Sequence, residues 1–406
     1  MKLRIFLVCV LIGTLSILLI NQSIAAETGD KTMRLQKYSD AVGEFGFALF
    51  RNLHKSISSD NIFLSPASIE LALTMIMNGA KGDTLEAMRK TLGLAQISEK
   101  EMNEAIQNLV LAKLPRDSGI QLDIANSLWY DKDVKLLSGF TKKNSALNAE
   151  VKKLDFGKPE AVRSVNAWIN KKTQSMIPSI IDSITKDMIL LAVNAIYFNG
   201  KWANTFDSRM NQQKPFTQGN GVKSNVTMMR QSDTYRYASD NTLAIAEIPY
   251  GNKRYSMYII LPNAGVPLNN ILQGMDWTKF KTLLAALKER KGIVEIPIFK
   301  TSFGTINLIP ALSQLGMGAA FGTNADLSGI SGAKNLNIGL VLHKAVISVD
   351  EQGTKAAAVT MGAVRTSAVL SEPPPFIFTA DRPFAYCIVD NTSLMPLFMG
   401  KLEKPE

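Results

Sequence analysis

Histidine, cysteine and paired carboxylates are the side chains from which active sites are most often built, and this 406-residue chain is poor in the first two. It holds two histidines, His54 and His343, and two cysteines, Cys9 and Cys387. No His-Glu-x-x-His zinc motif, Cys-x-x-Cys pair or Gly-x-x-x-x-Gly-Lys-Ser/Thr phosphate loop occurs. Gly316-Met317-Gly318-Ala319-Ala320-Phe321 approaches a dinucleotide loop, but it lacks the last glycine and a preceding strand. Gly329-Ile330-Ser331-Gly332-Ala333 falls short of a nucleophile elbow. His54 lies on the polar edge of a helical pattern and reads as a surface residue. His343 sits in an apolar strand, where a lone histidine is most simply a satisfied core residue. The chain does not read as an enzyme, and it implies no cofactor and no metal.

The informative stretch carries no catalytic chemistry. Ile338 to Val349 reads as a strand, and Asp350-Glu351-Gln352-Gly353 ends it at a residue that tolerates unusual backbone angles. Thr354 to Thr360 then contains no Pro, Gly, Asn or Asp. As a strand it would place Thr354, Ala356, Ala358 and Thr360 on one face, and Lys355, Ala357, Val359 and Met361 on the other. The first face is small and uncharged, so it can enter a dense interior without burying an ion or overfilling it. Helix propensity would favour an alanine-rich turn here, and the neighbouring residues decide for the strand.

Those neighbours resemble the serpin family. Val341 to Thr354, spelling VLHKAVISVDEQGT, is similar to its strand-plus-hinge signature. Asn61-Ile62-Phe63-Leu64-Ser65-Pro66-Ala67-Ser68-Ile69, Asn194-Ala195-Ile196-Tyr197-Phe198-Asn199-Gly200-Lys201-Trp202, Asp381-Arg382-Pro383-Phe384 and Pro396-Leu397-Phe398-Met399-Gly400-Lys401 match further motifs in the family's order, across about residues 35–402. The resemblance implies an α+β fold of three β-sheets surrounded by about eight or nine helices, with an exposed reactive loop at roughly 354–375. It also implies a monomeric inhibitor whose partner is a serine protease, a cysteine protease being possible. Cleavage of the loop forms an acyl-enzyme, the freed segment inserts into the central sheet as a new strand, and the distorted protease is trapped. Glu351, Gly353, Thr354, Ala356, Ala357 and Ala358 would form the hinge. Ser65, Ser68, Asn194 and His343 would form a polar cluster beneath the sheet, and Trp202 would mark the entry end of the opening.

Family spacing, about sixteen residues beyond the hinge glutamate, puts the scissile bond at Ser367-Ala368. That favours an elastase-like or subtilisin-like protease. Arg365-Thr366 would instead suit a trypsin-like enzyme, and Leu370-Ser371 a chymotrypsin-like one. Non-inhibitory relatives that carry ligands, store material or assist folding form the alternative class. Their hinges are often broken by bulky, charged or proline residues, whereas Thr354 and Ala356–Ala358 keep the inhibitory pattern. Lys355 departs from the family's usual glutamate, on the outward face.

At the amino terminus, Lys2 and Arg4 precede an apolar run from Ile5 to Ile20 and the small residues Ala25 and Ala26. That is the pattern of a secretory leader, and the run is shorter than the ~20 residues of a spanning helix. Residues 1–25 are expected to be removed, leaving 26–406 as a single secreted domain, extracellular or periplasmic, with Cys387 as its lone thiol. Without residues 1–25 the formal charge falls from +10 to +8, with 43 basic against 35 acidic residues. The family's heparin-type helix would fall at 99–113, but Lys100 and Lys113 face Glu99, Glu101 and Glu104 there. Polyanion binding is therefore unsupported, and nucleic acid is not an expected partner. The elements that must carry the hinge follow from periodicity. They include an amphipathic helix over Met33–Lys55, a helix after Pro66, a helix capped near Asp83, a strand alternating at Ile120, Leu122 and Ile124, and a nearly unbroken apolar strand from Met188 to Phe198. Strands at Leu243–Ile248, Tyr255–Leu261 and Ile293–Phe299 and a helix near Leu308–Leu315 complete the pattern.

Overall fold

The computed structural model describes residues 29, 31–57, 61–111, 119–185, 188–334, 336, 338–354 and 374–405. The expected leader and residues 355–373 of the expected loop lie outside them. So do Ala356, Ala357, Ala358, Arg365, Thr366, Ser367, Ala368, Leu370 and Ser371.

Helix α1 covers 31–56 and buries Tyr38, Val42, Phe45, Leu49 and Leu53, the apolar stripe its spacing predicts. Strand β1 (Ile62–Leu64) leads into α2 (Pro66–Met77), α3 (Gly82–Thr91), α4 (Glu99–Ala105), β2 (Ile120–Asp131), α5 (Ser138–Ala146), β3 (Glu150–Leu154) and α6 (Glu160–Lys172). After β4 (Leu190–Lys201) come β5 (Gln212–Thr217), β6 (Lys223–Ser239), β7 (Leu243–Tyr250), β8 (Tyr255–Pro262), α7 (Leu268–Gly274), α8 (Trp277–Ala286), β9 (Lys288–Pro297) and β10 (Phe299–Asn307). The chain closes with α9 (Ile309–Leu312), α10 (Ser328–Ser331), β11 (Ile338–Val349), β12 (Gly353–Thr354), β13 (Phe376–Thr379), β14 (Phe384–Asp390) and β15 (Met395–Leu402). The start of α3 differs from expectation. Lys81 is its N-cap and donates its backbone N–H to Asp326 O, so Asp83 falls inside the first turn.

The strands form an α+β arrangement of three sheets, two of them joined through one long strand. In order β1-β15-β14-β8-β7-β6-β9-β13, β6 pairs with β7 through Tyr237–Ser239 and with β9 through Met228–Tyr237. The third sheet runs β10-β11-β4-β2-β3, with β12 also on β4. One face of that sheet meets the main core, where α1, α2 and α8 pack beside the first two sheets. Its other face is covered by α6, whose Val165, Trp168 and Ile169 pack with Trp129, Leu191, Val193 and Leu342. The central strand is therefore apolar on both sides, which accounts for the unbroken run from Met188.

Candidate functional site

Strand β4 has a continuous neighbour on one edge and an interrupted one on the other. Antiparallel β2 pairs with it from Ile120↔Gly200 to Tyr130↔Leu190. Parallel β11 pairs with it only from Ile338↔Leu190 to His343↔Asn194. Above that point the β4–β11 ladder stops, and β12 occupies the far end, with Gly353 opposite Lys201 and Thr354 opposite Gly200.

The closed half ends in a buried polar cluster. Ser65 is the N-cap of α2, its hydroxyl accepting from Ser68 N and donating to Leu397 O at 2.6 Å. Asn194 donates through Nδ2 to Ser68 O at 3.0 Å, to the Ser68 hydroxyl and to Asn126 Oδ1 at 2.6 Å. Ser65 N donates to His343 Nε2 at 3.3 Å, which leaves Nδ1 of a neutral ring to donate to Asn194 Oδ1 at 3.2 Å. Burial drives the His343 pKa down to about 3. Ser65, Ser68, Asn194 and His343 thus meet. Asn126, opposite Asn194 on β2, belongs with them and was missed. Its signal was a polar residue at the next position of the apolar alternation Ile120, Leu122 and Ile124.

The open end is a turn locked to β4. Asp350 and Gly353 exchange backbone hydrogen bonds, and Asp350 Oδ1 accepts from Gln352 N at 2.9 Å and Gly353 N at 3.2 Å. Gly353 holds φ at 141°, and a β-carbon there would stand 2.1 Å from Gly200 O. Trp202 Nε1 donates to Asp350 O at 2.9 Å, and Trp202 N to Gln352 O at 3.0 Å. Glu351 accepts from Phe206 N through its carbonyl and from Asn211 Nδ2 through its carboxylate. Trp202 stacks on Tyr250 at 4.4 Å, and Tyr250 and Thr354 share a hydroxyl–hydroxyl bond of 2.9 Å. Thr354 is 2% exposed, its side chain on the core face.

Two residues outside this site were also read from the sequence. Cys387 is buried in β14, and burial pushes its thiol pKa up. His54 is not on the surface. It is 2% exposed, and Asn269 of α7 hydrogen-bonds its Nε2 at 2.8 Å. No group of His, Cys, Asp and Glu among the described residues could hold a metal. Nor is any described helix long and apolar enough to cross a membrane.

A strand-lined gap entered by a buried hinge defines a class, and comparison with known proteins names it. The family described as Serpin (serine protease inhibitor) matches residues 40–405. The leukocyte elastase inhibitor of Bos taurus is 34% identical over 91% of this chain and 100% of its own length. A serpin-like protein of Thermococcus kodakarensis is 33% identical, over 90% of this chain and 85% of its own. Among solved structures, native tengpin, a thermophilic serpin, superposes with a TM-score of 0.81 at 31% identity, covering 91% of this chain and 94% of its own. Human thyroxine-binding globulin complexed with thyroxine does so at 0.83 and 27%, covering 92% and 99%. The chain belongs to the serpin family.

Proposed function

We propose that this serpin is an irreversible, single-use inhibitor of a serine protease, secreted after removal of residues 1–25 and working as one domain over 26–406. The observation that carries the reading is β12, a strand already begun in the place where the cleaved loop would continue. Projecting its register along β4 sets Ala356 opposite Phe198, Ala358 opposite Ile196 and Thr360 opposite Asn194. These three partners are 7%, 3% and 2% exposed. Beside buried phenylalanine and isoleucine only small side chains fit without strain, which suits the composition of the hinge. The same register brings residue 364 opposite Leu190, the first residue of β4. Cleavage at Ser367-Ala368, Arg365-Thr366 or Leu370-Ser371 would in each case free enough chain.

The small residues Ser367 and Ala368 favour an elastase-like or subtilisin-like target, and one relative bears the name leukocyte elastase inhibitor. Mixing with a protease panel should yield a complex that survives boiling in detergent, and its intact mass gives both target and bond. Release of every protease that cuts between 365 and 371 in fully active form would overturn the reading. A non-inhibitory carrier is the second reading, favoured by the likeness to thyroxine-binding globulin.

A further inference from the structure

Positive charge is concentrated on one edge of the molecule. Residues 132–172 hold ten Lys or Arg against four Asp or Glu, +6 of the chain's formal +10. They include α5, β3 and α6, and β3 is the outer strand of the six-stranded sheet. Between α6 and the β2–β3 pair lies an open groove of about 770 Å³. Trp129, Trp168 and Leu154 contribute apolar surface, and Lys152, Lys153 and Lys171 line it. Lys152 sits 5.2 Å over the Trp129 ring and pairs with Glu150 at 2.7 Å, while Lys172 pairs with the same carboxylate at 2.6 Å. Lys153 and Lys171 are exposed and have no side-chain partner among the described residues. Trp168 Nε1 is buried without hydrogen-bonding geometry to any described acceptor, although the indole helps hold the Glu150 carboxyl ionised. Apolar surface beside two ammonium groups without a side-chain partner among the described residues selects one class of ligand.

We infer that this groove binds a small organic anion with a flat apolar body and one carboxylate or sulfonate. The anion would lie between Lys171 of α6 and Lys153 of β3, the ring system against the apolar lining. The site also has leverage over the sheet, a consequence that rests on the inhibitory reading above. Trp129 and Trp168, at 6.0 Å edge to face, share a cluster with Leu191 and Val193 of β4 and Leu342 of β11. A ligand that ties α6 to β3 braces the helix across the seam that insertion must widen. Bound anion therefore slows insertion, and more acyl-enzyme hydrolyses before it is trapped.

Calorimetric titration of the full chain with 2-naphthalenesulfonate tests the site, with 2-naphthalenemethanol as the neutral analogue. Binding should favour the sulfonate and weaken about tenfold or more in the double variant Lys153→Glu, Lys171→Glu, both exposed positions. Equal binding of the neutral analogue, or no loss in the double variant, would overturn the assignment. Dextran sulfate binding more tightly per sulfate, with the same dependence on the two lysines, would overturn the choice of a small ligand. With a matched protease, saturating naphthalenesulfonate should raise the cleaved fraction at the expense of the trapped complex, and the double variant should abolish that shift. An unchanged partition with intact binding would refute the coupling alone. Absence of a trapped complex with any protease would instead refute the inhibitory reading, and leave the binding arm to decide the groove.

Discussion

The two halves of β4 are the same strand in different company. Its first half, Leu190–Asn194, is paired on both edges and ends in a fully engaged polar cluster. Its second half is paired by β2 along one edge, and on the other, among the described residues, only where Gly353 and Thr354 touch Lys201 and Gly200. Backbone pairing is worth about 0.5–1.5 kcal/mol per bond, so the second half has stabilisation still to gain. The first half can gain only if its existing partner yields. Under the proposed reading the closed half acts as a latch and the open half as a receiver.

The largest effect should come from filling the receiver. Limited proteolysis between 365 and 371 should raise the thermal transition by ~10 °C or more, because a full strand of hydrogen bonds outweighs the nick. Paired unfolding scans before and after cleavage check this, and an unchanged or lower transition would favour the carrier reading. Next comes Thr354→Arg, which drives a cation against Tyr250 on the core face. Protease trapping should fail while cleavage continues, whereas Lys355→Arg should change little. Equal damage from both would break the alternation on which the receiver rests.

The latch is probed by Asn194→Ala. It removes the partner of Ser68, Asn126 and His343 at once. Chemical denaturation should show a loss of about 2–4 kcal/mol, and the intact loop should insert more readily on warming.

The smallest effect is on pH. His343 is neutral in the fold with its pKa depressed from 6.5 to about 3, so an unfolded chain binds the proton more readily. Its contribution is present above pH 6.5 and lost as pH falls toward 3, about 2 kcal/mol by pH 5. Glu70, in α2, slopes the other way: burial raises it from 4.5 to about 7, beside the Tyr38 hydroxyl that donates to it. Its protonated form suits the fold, so stability falls as pH rises from 4.5 to 7. Between pH 4.5 and 6.5 the two slopes oppose and largely cancel, so melting temperatures should be nearly flat there, should fall with rising pH in His343→Gln and should rise with pH in Glu70→Gln.

The turn at Gly353 and the polar cluster under β4 were legible because their sequence signals are local, a glycine and an N-cap serine before proline; the small residues at period two after Thr354 lie outside the described residues. What escaped depends on contacts made by distant elements. His54 reads as exposed on its own helix, but residues far along the chain surround it, among them Asn269, 215 positions later, which hydrogen-bonds its ring. Asn126 interrupts an apolar alternation, but its partner becomes visible only when β2 and β4 are set in register. The apparent run Ile293–Phe299 is two strands meeting at Ile298, whose backbone N–H bonds Thr227 O in neighbouring β6. No periodicity rule reports a strand changing sheets. The start of α3 shifted for a similar reason, since the carbonyl that fixes Lys81 belongs to Asp326.

The turn at Gly353 also divides the chain by tolerance to change. Up to Thr354 each residue is held by a named neighbour, and a single added carbon at 353 would strike the Gly200 carbonyl. Beyond residue 364, opposite the first residue of β4, the projected register asks only for length. Under the proposed reading, the residues that choose the target are interchangeable parts fitted to a fixed engine. A designer could graft new residues over 365–371 and redirect the inhibitor without altering one projected contact in the gap that powers it.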